Sequence, residues 1–207
     1  MFEGMSIGEI LMLGHGTLII LIGASVLSVM VILLKFYEFW NKSKVTRSEF
    51  VESVLQYLRK RDIDGAIKYS NSVDSPMAPV AKAGLLAHKS KEGTLNEAME
   101  REIMIQTVAL ERFITILGTI GSIAVYIGLF GTVLGIMDAF SHIAAAGSGG
   151  ISVVIKGVSV ALVCTATGLA VAIPAVIVYN FLTKLVDKFV VNMEYCASAV
   201  EDFLSGK

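Results

Sequence analysis

Three stretches of this chain carry no Asp, Glu, Lys or Arg: Thr17–Leu34, Phe113–Met137 and Gly157–Thr183. Each is near or above the roughly 18 apolar residues that read as a membrane-spanning helix. Between them the apolar positions fall at helical spacing. Thr46-x-x-Glu49 matches a capping box, and Phe50, Val54, Tyr57 and Leu58 follow on one face. Asp62 or Asp64 can cap a further helix carrying Ile67. Pro76 and Pro79 interrupt the pattern before it resumes over Val80–His88, and Glu92-Gly93 breaks it again. Thr94-x-x-Glu97 then opens a helix with no turn signal ahead of the second apolar run. If continuous to Phe140 it is about 47 residues, near 70 Å at 1.5 Å per residue.

The expected fold is therefore all-α: a polytopic membrane protein with three transmembrane helices and long helical extensions. The spans are placed at 17–40, 113–140 and 157–183, joined by a helical region over 41–112 and a short loop over 141–156. A terminal segment, 1–16, precedes the first span, and a helix over 184–207 follows the third. In the first segment Ser6-x-x-Glu9 can close a capping box, and Ile7, Ile10, Leu11 and Leu13 make it amphipathic enough to lie in the membrane interface. The first span ends in Phe36, Tyr37, Phe39 and Trp40, the aromatic band of a membrane boundary.

Composition agrees: 55% of the 207 residues are hydrophobic and 17% charged, with a mean hydropathy of +0.72, against about 25% charged in soluble domains. The net charge of −1 says little, but its distribution sets orientation. No Lys or Arg precedes Lys35 and none lies between Arg112 and Lys156, whereas Lys35, Lys42, Lys44 and Arg47 follow the first span and Lys184 and Lys188 the third. The positive-inside rule then puts residues 35–112 and the C-terminus in the cytoplasm, with the N-terminus and 141–156 outside. Lys156 is the exception, outvoted by the long cytoplasmic loop. The missing N-terminal positive charge argues for a first helix that is retained rather than cleaved as a signal peptide. The outer loop, Ala144 to Gly150, is small and uncharged, too short for an external domain.

Candidate chemistry is sparse. Cys164 lies in the third span and Cys196 in the tail, separated by topology, so neither disulfide nor metal site is expected. His15, His88 and His142 show no ligand spacing, and no cofactor is implied. There is no zinc-protease motif, phosphate loop or paired intramembrane carboxylate, which speaks against an enzyme. Basic residues are interspersed with acids, which speaks against nucleic-acid binding. Small residues are the distinctive feature: Gly128, Gly131 and Gly135 share one face of the second span, and Gly157, Ala161, Thr165, Gly168 and Ala172 form a stripe on the third. Close helix packing accounts for such stripes on its own. The hydroxyls of Thr132, Thr165 and Thr167 either line a polar path or satisfy themselves on the preceding turn. Three helices cannot enclose a pore, so functional hydroxyl faces would require several copies in a ring. Asp138, the one charge near a span interior, sits at its outer end and is a candidate ion-path or interface residue.

Tyr126-Ile-Gly-Leu-Phe-Gly-Thr-Val-Leu-Gly-Ile-Met-Asp-Ala-Phe140 resembles the second-span signature of the MotA/TolQ/ExbB proton-channel family. The segment Ala161–Asn180 resembles its third-span signature, and Glu111-Arg112 fits as well. The resemblance is strongest over about the last hundred residues and is nearest to ExbB or TolQ. It implies a pentameric ring in the bacterial inner membrane around the transmembrane helices of two ExbD- or TolR-like partners. Each partner would bring a membrane aspartate, and a TonB- or TolA-like periplasm-spanning protein would be a further partner. Proton entry would drive rotation and deliver work to the periplasm or outer membrane. By the same resemblance Thr132 and Thr165 face the pore near the partner's aspartate. One position departs: ExbB and TolQ proteins usually carry a glutamate five residues before the third-span threonine, where this chain has Val160. Valine neither binds nor relays a proton, which leaves three accounts. The partner's aspartate suffices, as in flagellar relatives, or water follows the hydroxyls, or the chain conducts poorly and acts as a scaffold.

Overall fold

A computed structural model of the protein describes residues 16–90, 94–146 and 151–205. Among them every regular element is an α-helix: α1 (Thr17–Lys42), α2 (Arg47–Arg59), α3 (Ile63–Ser72), α4 (Met77–Ser90), α5 (Leu95–Glu111), α6 (Ile114–Ala146) and α7 (Ile151–Ser205). Three of these, α1, α6 and α7, are long and apolar enough to cross a membrane. Residues 1–15 of the amphipathic segment expected over 1–16, with His15, the break at Glu92-Gly93 and the Gly-rich part of the outer loop lie outside the described residues.

The chain divides into two compact units: residues 1–33 with 113–180, and residues 34–112 with 181–207. In the first, α1, α6 and α7 pack around Leu21, Ile120, Ala124, Val171, Ala172 and Ala175. The glycine and alanine stripes set how closely they approach. A Cβ on Gly135 would stand 2.9 Å from Ala161 Cβ, and one on Gly157 would stand 2.6 Å from Ala139 Cβ. The two small-residue faces read from the sequence thus meet each other, which is their packing role.

In the second unit the predicted face of α2 is buried at Phe50, Val54 and Leu58, with Val51 beside them, while Tyr57 is half-buried. Asp62 is the cap of α3, its carboxylate accepting from Gly65 N at 2.8 Å. Replacing Asp62 with Ala should cost about 1 kcal/mol, the usual worth of a lost cap. A fall in the thermal midpoint of the purified protein checks this; Asp62→Ser should restore most of it. The Lys89 ammonium donates to Asp64 at 2.6 Å and holds its carboxyl below the usual carboxylate range. That tie between α3 and α4 is present at neutral pH and weakens as pH falls through the acidic range.

Four expectations need correction. The Thr46 side chain makes no capping hydrogen bond at the start of α2. Pro79 does not interrupt a helix: α4 begins at Met77, so Pro79 sits in its first turn, where an amide hydrogen has no intrahelical partner to lose. Helix occupies 141–146 and 151–156, most of the stretch read as outer loop. The long helix from Thr94 to Phe140 is broken, with Arg112 at φ −52°, ψ 132° and Phe113 left-handed at φ 70°. No Gly or Pro marks that break. A tertiary contact stands at the break: the Leu110 carbonyl, near the end of α5, accepts from the buried Lys35 ammonium at 3.0 Å.

Candidate functional site

At Gly128 and Gly168, α6 and α7 meet backbone to backbone. A Cβ on Gly168 would lie 2.7 Å from the Ala124 carbonyl oxygen and 3.1 Å from Gly128 Cα. Only backbone-to-backbone contact of this kind lets two short hydroxyl side chains one turn away touch across the interface. The Thr132 and Thr165 hydroxyls do so, bonded directly to each other, and either can be the donor. Both also reach one carbonyl, that of Gly128, with Oγ1 of Thr132 at 3.1 Å and Oγ1 of Thr165 at 3.2 Å. Thr132 can alternatively donate to the Ala161 carbonyl at 3.4 Å.

Each hydroxyl has one proton to give, so the pair has two equivalent arrangements. In one, Thr132 donates to Thr165, which donates to Gly128; in the other Thr165 donates to Thr132, which donates to a carbonyl. Both arrangements leave an oxygen lone pair free, and both residues are half-buried, not sealed in the core. A switchable, uncharged pair of this kind can hold a water or accept a hydrogen bond from a protonated carboxyl on a neighbouring helix. It lowers the cost of that group in a poor solvent.

The other expected site residues are not brought to this pair. Thr167 donates to the Val163 carbonyl at 2.8 Å within its own helix, the self-satisfied alternative. Asp138 lies six residues beyond Thr132, about 9 Å along the axis, and its carboxylate stands 3.6 Å from His142 Nε2. Val160 is buried, one turn from Cys164 on the packed side of α7, where aliphatic bulk fills space. Both cysteines are free and buried. Cys164 instead faces Thr17, whose hydroxyl lies 3.6 Å from its sulfur, and Gly131, so the thiol works as a small packing group. Among the described residues no cluster of His, Cys, Asp and Glu could hold a metal ion.

Sequence reasoning missed two tertiary contacts, one in each unit. Nothing but Thr17's position at the start of a span marks it as a neighbour of Cys164. Lys35 reads as a topology and belt residue, yet its ammonium is buried and satisfied by Glu38 at 2.8 Å and the Leu110 carbonyl.

Residues 72–195 match the MotA/TolQ/ExbB proton channel family. The chain belongs to this family. Among relatives of the MotA/TolQ/ExbB family, the chain is 35% identical over 116 residues to the biopolymer transport protein ExbB of Xanthomonas campestris, covering 56% of this chain and 46% of that one. It is 31% identical over 170 residues to the putative biopolymer transport protein ExbB-like 3 of Synechocystis sp., covering 80% and 79%. It is 45% identical over 93 residues to the Tol-Pal system protein TolQ of Haemophilus influenzae, covering 45% and 39%. The chain thus spans under half the length of the Xanthomonas and Haemophilus relatives. As a MotA/TolQ/ExbB family protein it is a membrane protein whose touching threonines fall inside the matched stretch.

Proposed function

We propose that this chain is the ring-forming subunit of a proton-driven motor of the ExbB/TolQ type in the bacterial inner membrane. The observation that carries the reading is the hydroxyl pair Thr132–Thr165, mutually bonded and half-buried between two helices of a proton-channel family member. Several copies, five by family analogy, would present these pairs to a central helix. That helix belongs to an ExbD- or TolR-like single-span partner whose membrane aspartate carries the proton. The pair accepts a hydrogen bond from the aspartic acid through its free lone pair, and donates one to the aspartate when a hydroxyl turns away from its backbone carbonyl, so the carboxyl can pass it in either charge state. Work would leave through the partner and a TonB- or TolA-like protein on the periplasmic side. The N-terminus would face the periplasm and the C-terminus the cytoplasm, by the distribution of Lys and Arg.

Val160 fits this reading because the proton site then lies wholly on the partner. Thr165→Val keeps the side-chain shape and removes the hydroxyl. Partner-dependent proton flux in reconstituted vesicles should fall at least about tenfold, as for loss of a positioned hydrogen-bonding group. The oligomer on size exclusion should be unchanged. Full flux in the variant overturns the role of the pair.

A second reading, a non-conducting scaffold for a single-span partner, is favoured by Val160, a buried valine at the position where the family resemblance leads one to expect a glutamate. The same vesicles separate the two. Flux that disappears when the partner's aspartate becomes asparagine supports the motor, and absence of flux with the native partner supports the scaffold.

A further inference from the structure

We propose that two adjoining clefts between the end of α1, the start of α2 and the second half of α7 form a binding site for one anionic phospholipid. The acyl chain would lie in the first cleft and the phosphate in the second. The proposal rests on α1 and α7 crossing the membrane and is independent of the proton reading.

The first cleft, of about 510 Å³, is walled by Phe36, Phe39, Trp40, Phe181, Leu182 and Leu185. The rings of Phe36 and Phe181 stack at 6.0 Å with planes 10° apart, and Phe39 meets Phe189 edge-on at 5.5 Å. Yet Trp40 remains 75% exposed. This aromatic wall begins just past the uncharged run Thr17–Leu34, at the depth where acyl chains give way to headgroups.

The second cleft, of about 560 Å³, shares Ser43 and Leu185 with the first. Its lining includes Arg47, Ser48, Lys188 and Asn192, and Lys44 lines the first cleft next to Ser43. Arg47 is held in place by its guanidinium over the Tyr195 ring, 4.5 Å from the centroid. Among the described residues lining either cleft there is no carboxylate. The first turn of α2, which enters this lining at Thr46–Ser48, has no side-chain cap from Thr46.

An aromatic groove at the membrane boundary that opens onto three cations and no anion complements one molecule with an apolar tail and a phosphate of net negative charge. A zwitterionic headgroup would bring a fourth cation toward Lys44, Arg47 and Lys188.

Trp40 is the only tryptophan in the chain, so its fluorescence reports this cleft alone. The full-length protein in phosphatidylcholine nanodiscs is titrated with lipid brominated on its acyl chains, as phosphatidylglycerol or as phosphatidylcholine. Brominated phosphatidylglycerol should half-quench Trp40 at a mole fraction at least about fivefold lower, the worth of one engaged cation. K44Q/R47Q/K188Q should bring the two lipids to the same value. High salt on the unaltered protein should narrow the gap without any substitution, which covers a variant that fails to fold. Equal quenching by both lipids, or a preference that survives the triple substitution and high salt, overturns the site. So does resistance to both lipids, the mark of a cleft covered by a second copy or another protein.

Discussion

Gly128→Ala should destabilise the protein by about 3 kcal/mol, at the upper end for overpacking, because the nearest atoms the added methyl meets are all backbone. Its Cβ would stand 2.8 Å from the Cys164 carbonyl oxygen, 3.1 Å from Thr165 Cα and 3.2 Å from Gly168 Cα. None of these is the end of a flexible side chain, so relief requires α7 to move away as a body. That displacement would also part the Thr132 and Thr165 hydroxyls, which touch only because the two helices meet at glycine. Proton-coupled activity should therefore fall together with stability. Gly23→Ala is the control. Nothing lies within 4 Å of its Cβ position, and helix propensity predicts no loss, with a gain up to about 1 kcal/mol. Thermal denaturation in detergent checks both, and an unchanged midpoint for Gly128→Ala would refute the packing account.

Lys35→Met should cost about 2–3 kcal/mol, below the full penalty for breaking a buried ion pair because the partner is partly solvated. The Lys35 side chain is 3% exposed, whereas Glu38 is 34% exposed and keeps a second partner in Lys42 at 3.3 Å. Methionine retains an unbranched apolar stem, so the change isolates the ammonium, which also stands over the Phe39 ring at 5.3 Å. The larger part of the loss arises at Leu110, whose carbonyl would be left buried at the end of α5 without its donor. Hydrogen exchange should report it directly: protection over 105–112 should fall in Lys35→Met while protection in α2 and α3 is retained. Protection unchanged over 105–112 would show that Lys35 does not hold the end of α5.

The stripes at Gly128, Gly131 and Gly135 and from Gly157 to Ala172 were legible as packing faces because small-residue spacing has one dominant use in a membrane helix. The capping of α3 by Asp62 was legible because the partner lies three residues away in the chain. Thr46 shows the limit of the same rule: its sequence pattern is as good, but its side chain makes no cap. The Arg112–Phe113 break gave no local signal, since no Gly or Pro stands there and the stabilising contact comes from Lys35, 75 residues distant in sequence. For the candidate site, sequence could name three threonines but could not choose between a shared and a private hydrogen bond. Both patterns need the same residue type, and only the azimuth of each side chain about its helix decides.

Sequence alone determined the membrane-crossing helices, because charge in hydrocarbon is costly and its absence over three long runs leaves few alternatives. It also determined the family signature and the lack of a carboxylate at Val160. Tertiary structure decided which hydroxyls meet, where the α5–α6 path breaks and what Lys35 is for. These depend on distances between residues far apart in the chain, and a hydrogen bond exists only within a few tenths of an ångström of its proper length.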